Sequence, residues 1–211
     1  MKKILYSALT LILGLVLSSS GCNTMDAPET SWDVPAIGTV KFATTKTWKV
    51  SGNGISQTWS DALVAPDKTT FNSGAHGGPY IVDWRSVSGY KGSYFSWEAV
   101  SQHKDHLCPA PWRVPTHQDF IDLDKALGGD GGFRTNATIR NRYVTTWGGV
   151  YGGVCYTGGS IDLQGVTGFY WSQTARDADS AHNLHFDTPA NNCGLSYNIK
   201  NRGFMLRCVR N

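Results

Sequence analysis

The stretch Cys108-Pro-Ala-Pro-Trp-Arg-Val-Pro-Thr116 decides the fold of this chain, because it predicts where a helix begins and what precedes it. A proline such as Pro115 is not tolerated inside a helix, and Thr116 followed three residues later by Asp119 has the pattern of a capping box. Apolar residues then recur at helical spacing until a glycine pair interrupts them: Phe120, Leu123, Ala126 and Leu127, followed by Gly128-Gly129. We therefore predict a helix that begins after Thr116 and ends at the glycines.

The closing segment Gly203-Phe-Met-Leu-Arg-Cys-Val-Arg210 predicts a final strand that carries a second cysteine. The chain has five cysteines, and an odd number in an exported protein requires an explanation. If Cys22 carries lipid, four cysteines remain for disulfides in an oxidising compartment: Cys108, Cys155, Cys193 and Cys208. Four cysteines allow three pairings, and their positions in the sequence do not choose among them.

The first residues have the pattern of an export signal. Two lysines precede an apolar run from Ile4 to Leu17, and small residues lead to Gly21-Cys22. This ending resembles a bacterial lipoprotein cleavage site, so we expect a signal peptide over 1–21 and a lipid on Cys22 that anchors the protein in a membrane. Ordinary cleavage nearby, which would leave Cys22 free, is the alternative. Residues 22–35 are predicted to be a tether and residues 36–211 one domain.

The composition favours an exported binding module over a nucleic-acid-binding protein. Lys2 and Lys3 are lost with the signal peptide, so 19 − 2 = 17 basic residues face 16 acidic ones, a net charge of +1. No basic patch of the kind that binds nucleic acid is present in the sequence. With 24 glycines, 8 tryptophans and 9 tyrosines, the chain is typical of a loop-rich fold with aromatic anchors.

Local patterns predict several strands and leave one segment open. Residues 39–50 and 55–59 alternate apolar and polar side chains and are predicted to form a hairpin around Ser51-Gly-Asn-Gly54. Residues 67–79 have the composition of turns, and Tyr94–Val100 fits a short helix or a strand equally well. Three more short strands are predicted near the C-terminus: Phe169–Ser172, Asn183–Phe186 and Phe204–Val209.

Four motifs together resemble the Fibrobacter succinogenes major paralogous domain family of bacterial lipoproteins. They are Gly92-Ser-Tyr-Phe-Ser-Trp97, Leu107-Cys-Pro-Ala-Pro-Trp-Arg-Val-Pro-Thr116, Tyr170-Trp-Ser172 and Gly203-Phe-Met-Leu-Arg-Cys-Val209. The resemblance implies an α+β domain of the C-type lectin-like fold, in which the N- and C-terminal strands pair, helices flank small sheets and long irregular loops carry the binding site. It also implies that the outer cysteines pair, Cys108 with Cys208, and the inner ones, Cys155 with Cys193.

Neither a metal site nor a catalytic site is predicted. His103 and His106 precede Cys108 in a segment expected to be a loop, and His182 and His185 lie three apart on a predicted strand, where their side chains point to opposite faces. No Gly-x-Ser-x-Gly elbow marks a nucleophilic serine. The formylglycine-generating enzymes resemble this family, but they use two closely spaced cysteines, and Cys193 and Cys208 are far apart. We expect a protein without cofactor or enzymatic activity.

The polar run from Gln173 to Arg202 is the predicted ligand-binding region. Its Asn, Asp, His and Tyr side chains are of the types that antibody loops use for adaptable hydrogen bonds and rigid contact area. The candidate ligand-binding residues are Arg176, Asp177, Asp179, His182, Asn183, His185, Asn191, Asn192, Tyr197, Asn198 and Asn201. The expected ligand is a surface protein or a glycan, and the alternative is a structural or tip subunit of a surface assembly.

The C-terminal region is also similar to the variable region of lectin-like proteins that are diversified by retroelements, so this chain is a candidate target of such an element. Neither Glu-Pro-Asn nor Trp-Asn-Asp, the calcium-binding motifs of lectins, occurs in the sequence. Sugar binding through calcium is therefore not expected.

Overall fold

The computed structural model describes residues 31–35, 37–65, 81–82 and 92–211. The predicted signal peptide, the lipid site Cys22, residues 23–30 of the predicted tether and the turn-rich stretch 67–79 lie outside the described residues. None of the helices in the described ranges is long and apolar enough to cross a membrane.

The described chain is a mixed α+β fold of three helices and small antiparallel sheets. The helices are α1 (Trp97–Leu107), α2 (His117–Ala126) and α3 (Ala137–Thr145). The strands are β1 (Ser31–Val34), β2 (Gly38–Phe42), β3 (Trp48–Gly52), β4 (Ile55–Val64), β5 (Ile81–Val82), β6 (Tyr94–Ser96), β7 (Arg134–Thr135), β8 (Val154–Cys155), β9 (Ile161–Asp162), β10 (Thr167–Ala175), β11 (Ser180–Asp187), β12 (Asn192–Ile199), β13 (Gly203–Phe204) and β14 (Arg207–Arg210).

Three sheets organise these strands. The first has the order β1-β2-β4-β14, with β3 also paired to β4; the second is β10-β11-β12-β7; the third is β5-β6-β13-β8-β9. The last strand, β14, thus pairs with β4 and is joined to β1 only through β4 and β2. Among the described residues, the first and last strands share a sheet but do not pair with each other as the resemblance implied.

The predicted α2 helix is confirmed, and its capping box is complete. The Thr116 hydroxyl accepts from the Asp119 N–H at 3.2 Å, and the Asp119 carboxylate accepts from the Thr116 N–H at 2.7 Å. Asp119 also accepts two hydrogen bonds from the Arg113 guanidinium. Burial opposes ionisation of Asp119, yet the Arg113 and Thr116 bonds hold its pKa below the usual range. Gly128, with φ +92°, follows the helix in the left-handed region.

The predicted hairpin at Ser51–Gly54 is also confirmed. β3 and β4 pair from Trp48↔Trp59 to Gly52↔Ile55, which leaves Asn53 and Gly54 as the two turn residues. Both have positive φ, 51° and 77°, as a type I′ turn requires. The predicted strand over residues 39–50 is interrupted, because β2 ends at Phe42 and β3 begins at Trp48.

The motif segments contact one another through indole hydrogen bonds. Trp171, which is fully buried, donates from Nε1 to the Phe95 carbonyl at 2.9 Å, and Trp97 donates to the Ser172 carbonyl at 3.0 Å. Gln173 donates to the Val114 carbonyl at 2.8 Å. Segments that are 59 to 76 residues apart in sequence therefore meet along β10, which contacts both the start of α1 and the residues just before α2.

The predicted Cys108–Cys208 disulfide is present and joins the end of α1 to β14. Alongside it, Arg113 and Val209 exchange two backbone hydrogen bonds at 2.9 and 3.0 Å. The implied Cys155–Cys193 bond was wrong: the two residues are buried and are not joined to each other, with Cys155 in β8 of the third sheet and Cys193 in β12 of the second.

Two further expectations were wrong, and a segment that the sequence left open contains both of the predicted alternatives. Residues 31–34, assigned to the tether, form β1, and the Trp32 indole donates to the His106 carbonyl at 3.1 Å, so the folded domain already includes them. The ambiguous segment 94–100 is a strand followed by a helix, with Ser96 as the N-cap. The predicted loop around His103 and His106 belongs to that helix, α1.

Candidate functional site

The predicted binding segment 173–202 consists mostly of strands, not of long loops. It contains the end of β10, all of β11 and all of β12, paired in register from Ser180↔Ile199 to Phe186↔Cys193. The prediction of loops was wrong because the polar side chains alternate with buried ones such as Ala181, Leu184 and Phe186. Most of the polar residues in this run therefore lie on strands of a sheet.

Three residues of this sheet and one residue of the β10–β11 turn lie together at the end where β10 turns into β11. Arg176, His182, Tyr197 and Ile199 make up what we call the hairpin-end surface. Tyr197 lies directly opposite His182, and the Arg176 guanidinium carbon is 3.3 Å from the centre of the Tyr197 ring. Tyr197 is 52% exposed and Ile199, two residues further along the same face, is 41% exposed. An aromatic ring, a cation and an aliphatic side chain are thus displayed together.

The turn that carries Arg176 is held by its own hydrogen bonds. The Asp177 carboxylate accepts from the N–H groups of Asp179 and Ser180 at 2.9 and 2.7 Å. Lys200 donates from Nζ to the carbonyls of Asp177 and Ala178 at 2.8 and 2.7 Å. Asp177, predicted to bind ligand, therefore shapes the turn, whereas Asp179 is exposed on it.

A stacked pair of imidazoles joins the hairpin-end surface to the start of α2. The rings of His182 and His117, the first residue of α2, lie 3.8 Å apart at 25°. Burial and the proximity of His182 lower the pKa of His117; burial and then Arg176 lower that of His182. Both imidazoles are therefore neutral at pH 7, which allows them to stack. The His117 N–H of the backbone donates to the Thr174 hydroxyl at 3.0 Å and fixes α2 against β10.

Two other predicted residues lie on the opposite face of the sheet. Asn183 follows His182 and is fully buried, so it is not available to a ligand in this conformation; neither amide atom has a hydrogen-bond partner among the described residues. His185 is stacked between Phe133 and Phe169, with ring centres 5.5 and 4.7 Å away. The sequence pattern did not separate these residues from the ones that face outward.

The remaining predicted residues support the backbone. Asn191 has φ +54° and accepts from Arg140 at 2.8 Å, and Asn192 donates to Asp187 at 3.0 Å, both at the far end of β12. Asn198 accepts from the Ile199 N–H at 2.9 Å, and the half-buried Asn201 lies in the turn after β12. None of these four belongs to the hairpin-end surface.

Sequence reasoning missed two members of this region. Ile199 is an apolar residue inside a polar run. An apolar residue in such a run can mark an exposed contact position. His117 was read only as the start of α2, and nothing in the sequence linked it to His182, 65 positions later, because their contact depends on how α2 packs against the sheet.

Among the described residues, no cluster of three or more His, Cys, Asp or Glu side chains is arranged to hold a metal ion. Cys155 and Cys193 are buried, and burial raises the pKa of Cys155 to about 12 and that of Cys193 above its usual value. A thiolate is the nucleophilic form of cysteine, so these side chains are held in their unreactive state.

Comparison of the chain with models of protein families, with characterised proteins and with solved structures found no match.

Proposed function

We propose that this chain is an exported, lipid-anchored protein of the C-type lectin-like class that binds a protein ligand through the hairpin-end surface. The single observation that carries the proposal is the exposed Tyr197 ring beneath the Arg176 guanidinium and beside exposed Ile199. Tyrosine and arginine are enriched among the residues that dominate the energy of protein interfaces.

The rigidity of the scaffold supports this role. Tyr197 and Ile199 lie on a strand of the hydrogen-bonded β10-β11-β12 sheet, and Lys200 and Asp177 fix the neighbouring turn. Side chains held in one geometry lose little conformational entropy on binding. The exposed aliphatic Ile199 favours a protein over a glycan, because a protein ligand offers apolar side chains to bury against it.

The lectin-like assignment has its own support. A mixed α+β domain and a disulfide between Cys108 and the last strand are what the resemblance implies, and the hydrogen bond from Trp171 to the Phe95 carbonyl joins two of the motif segments directly. Export and lipid attachment are supported by the residues before Asn23.

Selection of binders tests the function. The mature chain would be screened against a phage-displayed library of random 12-residue peptides and against a glycan array. We expect peptides whose affinity falls tenfold or more, about 1.4 kcal/mol, for Tyr197→Ala and for Arg176→Ala. Phe133→Ala is the matched control, because Phe133 is 51% exposed and stacks on the other face of the sheet. Its effect should stay within twofold.

Two results would contradict the proposal. One is a set of binders that Phe133→Ala weakens as much as Tyr197→Ala does. The other is glycan binding that depends on Tyr197, which would make the ligand a saccharide. Crosslinking from position 197 in intact cells distinguishes ligand binding from the alternative, a structural subunit. A single partner at fixed stoichiometry in a surface assembly would favour the structural subunit.

A further inference from the structure

β12 pairs with β11 along one edge, and its other edge, which we call the outer edge, differs between its start and the rest of its length. At its start, Asn192 and Cys193 pair with Thr135 and Arg134 of β7. Beyond Cys193, no strand in the described ranges of the chain pairs with this edge. A strand edge without a partner presents backbone N–H and C=O groups that another extended chain can bond.

The path of the chain just before β7 explains why the pairing of β7 with β12 stops at Cys193. At Gly194, an added Cβ would lie 2.0 Å from the Gly132 carbonyl oxygen, so the chain before β7 crosses directly over this glycine. Phe133 then stacks on His185, on the face of the sheet. The segment that would otherwise continue along β12 therefore leaves the edge at Gly194.

The hydrogen-bond pattern identifies which backbone groups face outward. The Lys200 N–H donates to the Asp179 carbonyl at 2.9 Å, so even-numbered residues of β12 bond inward to β11. On the other side, the Asn136 N–H donates to the Asn191 carbonyl at 2.9 Å, so odd-numbered residues bond outward. Leu195 and Tyr197 continue this outward series.

The open ladder ends at Ile199. Its N–H donates to the Asn198 side chain at 2.9 Å, and its carbonyl accepts from the Arg202 N–H at 3.1 Å. Leu195 and Tyr197 thus offer two donors and two acceptors in one row. Tyr197 of the hairpin-end surface lies within that row, so backbone and side chain are presented together.

From this geometry we infer that the protein ligand is held by strand addition: an extended segment of the partner pairs with the backbone of Leu195 and Tyr197. The inference rests on the proposed function and specifies its partner. Alternate side chains of the added segment contact Tyr197 and Ile199 on one face and Ser196 and Asn198 on the other. Main-chain bonds supply affinity and the two faces supply specificity, as in other cases of strand addition.

A backbone-methylation scan tests the inference, using the peptide selected against the mature chain. Each N-methyl group removes one donor from the peptide and leaves its side chains intact. We expect a tenfold or greater loss of affinity at alternate positions and changes within twofold between them. On the protein, Tyr197→Pro removes an outward N–H without touching the bonds to β11, whereas Tyr197→Thr removes only the ring. The proline variant should bind at least fivefold more weakly than the threonine variant.

Hydrogen exchange gives a second readout. Bound peptide should slow exchange at the Leu195 and Tyr197 amides and leave Ser196 and Asn198, already bonded to β11, unchanged. A methylation scan without alternation overturns strand addition; if Tyr197→Ala and Arg176→Ala still abolish binding, the proposed function survives alone. Concentration-dependent dimers that Tyr197→Pro abolishes would also overturn it, because the edge would then bind a second copy of the chain.

Discussion

At the residue scale, the stacked His117–His182 pair makes a prediction about pH. Burial lowers the pKa of both imidazoles below the usual 6.5, so the unfolded chain binds more protons than the folded one just below that pH. The free energy of unfolding should therefore fall as pH drops below about 6.5, and this contribution should level off below the folded pKa values. An NMR titration of the imidazole resonances measures both pKa values directly.

Two neighbouring charged residues shift the pKa of His182 in opposite directions, which allows a test. Arg176 lowers the pKa of His182, whereas Asp177 raises it. Arg176→Ala should therefore raise the His182 pKa, and Asp177→Asn, which keeps the side-chain oxygen that shapes the turn, should lower it further. Shifts in the same direction for both variants would show that the imidazole pair does not sense these charges.

The same residues show how much of the site the sequence could reveal. Composition alone located Arg176, His182 and Tyr197, because polar and aromatic residues were dense there. It could not exclude Asn183 and His185, since the face of each residue depends on the register of β11 against its neighbours. A one-residue change of register would have exchanged the two sets.

At the element scale, Asp119 links the start of α2 to acid stability. Its folded pKa is lowered, so the stabilisation it gives is complete above the unfolded pKa near 3.9 and is lost as pH falls through the folded value. Asp119→Asn should reduce the free energy of unfolding by about 1–2 kcal/mol at pH 7. Urea unfolding should show a smaller difference between wild type and variant at pH 3.

Asp122→Asn is the control on the same helix. Asp122 accepts a hydrogen bond from Gln118 at an exposed position, so the change should alter the unfolding free energy by less than about 0.5 kcal/mol. An Asp119→Asn penalty that is equal at pH 7 and pH 3 would mean that the ion pair with Arg113 contributes nothing.

Elements with local chemical signals were predicted well. The capping box, the glycines after Leu127 and the Asn53-Gly54 turn each act within a few residues of the chain. β12 was missed although Cys193, Leu195, Tyr197 and Ile199 alternate with small or polar residues, because the polar composition of the whole run was interpreted as that of loops. Its stability comes from pairing with β11, which the local sequence does not encode.

At the scale of the whole molecule, long-range packing decided what the sequence left open. Two buried clusters share the domain: one includes Trp59, Phe120 and Trp147, and the other includes Trp171 and Phe204. Phe120 of α2 stacks on Trp59 of β4 at 5.4 Å, which places the helix against the first sheet. The family resemblance implied that Cys155 pairs with Cys193, but the two residues belong to strands of different sheets.

The Cys108–Cys208 bond should stabilise the whole domain, because it closes a segment of 100 residues between the end of α1 and β14. Loop-closure entropy of the unfolded chain predicts a stabilisation of about 4–5 kcal/mol for that length. Replacing both cysteines with alanine should reduce the unfolding free energy in urea by about that amount. In a Cys22→Ser background, denatured but unreduced protein should leave Cys108 and Cys208 resistant to alkylation. Four reactive thiols, or a stability loss below about 1 kcal/mol, would show that this bond does not hold the two ends of the domain together.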